Sequence, residues 1–85
     1  MKIKVGYRVK IKSLKWYETN KDAYGEVHVP CKFVGQMAQY CSKILEVSDV
    51  DGYVIRLYRD GNIDSEFVWS EQMFEKVYPP RAIRI

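Results

Sequence analysis

Hydrophobic residues recur at every second position over much of this chain. Ile3, Val5, Tyr7, Val9 and Ile11 alternate with Lys2, Lys4, Gly6, Arg8, Lys10 and Lys12, the spacing of a strand that buries one face. The run predicts a strand near residues 5–12, with Gly6 as a bend or bulge before regular pairing begins. Tyr53, Ile55 and Leu57 repeat the spacing, as do Ile63, Phe67 and Trp69, on either side of Asp60-Gly61. Gly61 can take the positive φ of a primed hairpin turn, which suits the right-handed twist of paired strands. With Lys43 to Ser48 as a further strand and Asp49, Asp51 and Gly52 as its turn, residues 43–69 predict a three-stranded meander with strands near 43–48, 53–59 and 63–69.

The period breaks after Trp69. Ser70 can accept backbone N–H bonds as an N-cap, Glu71 suits the positive end of a helical turn, and Met73 and Phe74 then fold back onto the sheet. A last strand near 75–78 ends at Pro79-Pro80, because proline supplies no ladder donor. Upstream, Ser13 predicts a cap for a short helical turn through Leu14, Trp16, Tyr17 and Glu18, ending near Asn20. Residues 20–32 read as loop around Gly25 and Pro30, with Val29 pushed toward extended backbone. Phe33, Met37, Tyr40 and Cys41 fall at helical spacing over one or two turns. The fold class predicted is mainly β, in one domain over residues 1–78 with a tail at 79–85.

Length sharpens this reading. An 85-residue chain sits near the lower end of what one hydrophobic core stabilises without staples, so nearly all large apolar side chains are needed inside. Little remains for an enzyme cleft. Charge is uneven: residues 1–15 hold Lys2, Lys4, Arg8, Lys10, Lys12 and Lys15 and no acid, whereas residues 43–75 hold eight acids against Lys43, Arg56 and Arg59. A lysine-rich outer strand face discourages edge-to-edge pairing; the alternative reading is a patch for nucleic acid, formed by Lys4, Arg8, Lys10, Lys12 and Lys15. The opening Met-Lys-Ile-Lys and the lack of a long apolar run lead to the expectation of a cytoplasmic protein with no membrane partner, and free Cys31 and Cys41 fit a reducing compartment.

One long strand, a wandering insertion, a meander, a one-turn helix and a short final strand resemble the order of an SH3-like barrel of about five strands. The opening Val5-Gly6, Val9 and Ile11 look like the first strand of many such barrels, including KOW-type and mind-bomb-type modules. More closely, VGYRVKIKSLKWYE, FVGQMAQYCSK and FVWSEQMFEKV are similar to segments of small SH3-like proteins of bacterial and phage genomes whose function is not established. The resemblance implies architecture and no catalytic residue. The acidic, tyrosine-rich first loop and paired tryptophans of peptide-binding SH3 domains are missing, which speaks against proline-rich ligands.

Catalytic chemistry has little material. His28 is the single histidine, and a nucleophile needs both a base and a group that orients it; the expectation is no enzyme and no cofactor. His28, Cys31 and Cys41 are three potential metal ligands, but a structural zinc site wants four at closer spacing, and two buried thiols acting as small hydrophobes are the simpler reading. Asp49-x-Asp51 and Asp60-x-x-x-Asp64 are turn residues before they are calcium ligands. The aromatics are more telling: two Trp, seven Tyr and three Phe exceed what so small a core can enclose. Phe33, Phe67, Phe74 and Trp69 fall on core faces, whereas Trp16, Tyr17, Tyr24 and Tyr58 do not and form the candidate partner-binding surface. Trp16 alternatively plugs a barrel end. The leading expectation is a non-enzymatic module for a protein partner, monomeric or weakly self-associating. Its rivals are a nucleic-acid-binding accessory protein stacking bases on Trp16 and Tyr17, and a structural subunit.

Overall fold

The computed structural model describes residues 3–59, 62–63 and 67–80. Five antiparallel strands, β1 (Arg8–Ile11), β2 (Ile44–Asp51), β3 (Val54–Arg59), β4 (Asn62–Ile63) and β5 (Phe74–Tyr78), form a sheet in the order β4-β3-β2-β1-β5. The sheet is open, with the two-residue β4 and β5 at its edges. The helix α1 (Leu14–Asn20) follows β1, and two 3-10 helices cover Gly35–Tyr40 and Glu71–Met73. None of these helices is long and apolar enough to cross a membrane.

Regular pairing in β1 begins at Arg8, after a turn in which Gly6 adopts φ +92°. That turn resets the alternation. Val9 and Ile11 are completely buried and Ile3 nearly so, but Val5, expected on the same face, is 58% exposed. β2 runs on to Asp51, past its expected end at 48, so Asp49 and Asp51 belong to the strand. The turn is Gly52-Tyr53, with Gly52 at φ +64°, which only glycine adopts cheaply. Tyr53 consequently projects from the turn, 69% exposed, instead of continuing the inward face of Ile55 and Leu57. The expected Asp60-Gly61 turn lies outside the described residues.

Two bulges adjust which side chains reach the core. Between Val47 and Asp49 the β2–β3 register shifts, so Val47 and Val50, three apart, both pack inward. Between Lys10 and Ile11 the β1–β5 register shifts in the same way, and Phe74 and Val77 both contact the core. An extra residue in one strand inverts the two-residue alternation beyond it.

α1 starts where Ser13 predicts it: the Trp16 N–H donates to Ser13 Oγ at 3.2 Å. The segment at 33–41, expected to hold one or two helical turns, is a 3-10 helix over Gly35–Tyr40; Phe33 lies before it and pairs its backbone with Val27, at 2.8 and 3.1 Å. Ser70 precedes the last 3-10 helix, but its hydroxyl makes no capping bond. It is fully buried and without a hydrogen-bond partner among the described residues, as is the Trp69 Nε1. Phe33 and Trp69, 6.0 Å apart edge to face, form the hub of the core. Trp16 and Tyr17 pack on Phe33, and Tyr40, Phe67 and Phe74 surround Trp69.

Candidate functional site

Adjacent residues on a helix diverge by about 100°, so Trp16 and Tyr17, although both touch Phe33, are not buried to the same depth. The structure divides them. Tyr17 is buried at 8% exposure, its ring 5.5 Å from Phe33 and its hydroxyl donating to the Gly25 carbonyl at 2.7 Å. This corrects its assignment to a recognition surface: Tyr17 ties α1 and the Gly25 turn to the core. Trp16 is half-buried, edge-on to Phe33 at 5.3 Å, with Lys12 Nζ 5.7 Å from its ring centroid. Tyr24 stands 88% exposed on its loop, and Tyr58 is half-buried on β3. The four aromatics therefore do not form one surface.

The basic residues of the first strand are also divided. Lys10 pairs with Glu75 at 3.5 Å, and Lys12 is drawn over Trp16. Lys4, Arg8 and Lys15 remain exposed. Of these, Arg8 lies within a shallow groove of about 530 Å³ across the outer face of β2, β1 and β5, lined also by Ile44, Glu46, Tyr78, Pro79 and Pro80. Its composition follows from the register. Arg8 stands opposite Glu46 on one side and Tyr78 on the other, and Lys10 stands between Ile44 and Lys76. One rung thus offers an acid, a base and a phenol, and the next an aliphatic group beside two lysines. Ile44 is 51% and Tyr78 38% exposed, and no ion pair among the described residues engages Arg8 or Glu46. A smaller groove of about 280 Å³ lies near Tyr53, Ile3 and Pro30.

Sequence reasoning missed the Ile44 and Tyr78 face, because it depends on which strands become neighbours. The available signal was an apolar residue at each end of the outward series: Ile44 shares parity with Glu46, and Tyr78 with Lys76.

A second group gathers in the loop after α1. Asp22 Oδ1 accepts the N–H groups of Tyr24 (2.8 Å) and Glu26 (3.0 Å), while its Oδ2 meets His28 Nε2 at 2.5 Å. The hydrogen bond from His28, followed by the Glu26 N–H, holds the Asp22 carboxyl down at about 2. Ligating atoms of Asp22, Glu26 and His28 all lie within 4.8 Å of one another. His28 therefore keeps company with two carboxylates, and the triad of His28, Cys31 and Cys41 is not assembled. Cys31 and Cys41 are partly buried free thiols, and burial pushes both upward, the behaviour of unreactive small hydrophobes. Asp22 and Gly25, placed as the ends of a turn, were the sequence signal for this loop.

Comparison of the chain with protein-family models, with curated proteins and with solved structures yields no significant match.

Proposed function

We propose that this chain is a non-catalytic binding module on an SH3-like small-barrel plan, and that the groove across β2, β1 and β5 takes a segment of a protein partner. The observation that carries this reading is the groove's mixed lining: Ile44 and Tyr78 exposed beside Arg8 and Glu46. Tyrosine and arginine around an aliphatic anchor are the residue types that dominate protein interfaces. The strand order and the one-turn helix before the last strand are consistent with the small-barrel plan.

Selection of peptides from a displayed library tests the proposal. Peptides retained by the parent chain should lose at least about 2 kcal/mol of affinity, the scale of an interface anchor, on Ile44→Glu or Tyr78→Ala and should tolerate Trp16→Ala. If no peptide is enriched and the chain instead retains single-stranded nucleic acid with a steep loss on adding salt, the basic-strand reading replaces this one.

A further inference from the structure

We propose that Asp22, Glu26 and His28 form a surface site for a divalent transition-metal ion of the zinc class, with water completing its coordination. One imidazole nitrogen and two carboxylate oxygens make a borderline donor set that suits such an ion better than a soft monovalent one. Bonds of about 2.0–2.1 Å place tetrahedral donors about 3.3 Å apart. The three donor atoms already lie within 4.8 Å, so side-chain rotation on the scale of an ångström brings them to an ion.

Backbone placement favours this convergence. The bridge between Val27 and Phe33 fixes the segment carrying Glu26 and His28. Because Val27 is buried, its two neighbours both face outward on the same side, as alternate residues of extended chain must. The Asp22 N–H donates to the Glu26 carbonyl at 2.8 Å, the Gly25 N–H donates to the Asp22 carbonyl at 3.1 Å, and Tyr17 anchors the Gly25 carbonyl from the core. Asp22 Oδ1 is occupied by backbone N–H groups, and Oδ2 is left facing the imidazole. An ion would take the place of the direct contact between His28 Nε2 and Asp22 Oδ2. It would compete with Lys32, whose Nζ lies 3.4 Å from Glu26, so the site is open and exchangeable, unlike a closed structural centre. His28 itself is accessible, its side chain 68% exposed.

The single histidine makes the test direct. Zinc chloride is titrated into the full chain at neutral pH while the His28 ring resonances are followed by NMR, in the parent, Asp22→Asn and Glu26→Gln proteins. Asp22→Asn keeps an oxygen for the Tyr24 and Glu26 N–H groups, so the loop is retained while the charged ligand is lost. The expected result is a saturable one-to-one shift in the parent, reversed by EDTA, with affinity lowered about tenfold or more in each variant, the scale on which partners of a metal centre act. Ring resonances unmoved at millimolar zinc would overturn the proposal, including the case in which zinc is taken up by the cysteines alone. Equal shifts in all three proteins would also overturn it, since they describe an isolated imidazole.

Discussion

Removing one oxygen from Tyr17 isolates the contact that separates it from Trp16. The Tyr17 hydroxyl donates to the Gly25 carbonyl at 2.7 Å, and a neutral hydrogen bond of this kind contributes about 0.5–1.5 kcal/mol net. Tyr17→Phe should therefore lower the urea midpoint by on the order of 1 M, at a slope near 1 kcal/mol per molar for a domain of this size, and the melting temperature by about 4–8 °C. Tyr17→Ala also forfeits the ring packed on Phe33 and should cost about 3–5 kcal/mol, a large share of the roughly 4–13 kcal/mol expected for a domain of this length. Trp16→Ala, at a half-buried ring with one edge contact, should cost about 2 kcal/mol, less than Tyr17→Ala. Gly25 supplies a second handle: it sits at φ +80°, and a Cβ there would lie 3.1 Å from the Tyr17 hydroxyl. Gly25→Ala should cost about 1–2 kcal/mol from backbone strain alone, plus part of the displaced hydrogen bond. That second part should vanish in the Tyr17→Phe background, giving a coupling of about 0.5–1 kcal/mol in the double-mutant cycle. Tryptophan fluorescence and far-ultraviolet circular dichroism during urea unfolding measure the parent and all five variants. A Tyr17→Ala midpoint equal to the parent, or Trp16→Ala as the more damaging change, would refute the placement of these rings.

Ser70→Ala should leave stability unchanged or raise it by up to about 1 kcal/mol, because the buried Ser70 hydroxyl has no partner among the described residues and an unsatisfied hydroxyl is costly to enclose; a loss near 1 kcal/mol in urea unfolding would instead restore its role as an N-cap. Asp22 titrates at about 2 in the fold against an ordinary 3.8, so its contribution to stability is present above the ordinary value and is lost as pH falls from there through about 2. Thermal unfolding of the parent and Asp22→Asn across that window checks the sign: the parent should lose its advantage on acidification, and a constant difference would contradict it.

Where side chains alternate, the sequence announced its structure. Val9 and Ile11, then Ile55 and Leu57, are buried as their spacing predicts, and Ser13 caps α1 as its position predicts. Val5 and Tyr53 went the other way because positive-φ glycines beside them turned the chain before the alternation could place them. The bulge at Ser48 was likewise silent, since inserting one residue leaves the composition of a strand unchanged while inverting its faces. Between α1 and β2, Cys31, Lys32 and Ser42 adopt positive φ without being glycine; Cys31 and Ser42 do so in tight turns closed by the Lys32 N–H on the Val29 carbonyl at 2.8 Å and the Lys43 N–H on the Tyr40 carbonyl at 3.0 Å, at the position where such turns favour glycine. The candidate groove needed the pairings of Arg8 with Glu46 and Tyr78, contacts that join residues far apart in the chain. The Asp22 loop was nearer to legible from Asp22 and Gly25, but the meeting of Asp22 and Glu26 with His28 depends on the backbone bond from the Asp22 N–H to the Glu26 carbonyl, which residue spacing alone does not specify.

The central claim, that the outer face of β2, β1 and β5 receives a protein segment, is tested most directly by mapping a library-selected peptide on the isotopically labelled chain by NMR. The account predicts amide and side-chain shifts concentrated at Gly6, Arg8, Ile44, Glu46 and Tyr78, with α1 and Tyr24 undisturbed. Shifts centred on Trp16 and Tyr24, with Ile44 and Tyr78 unmoved, would contradict it.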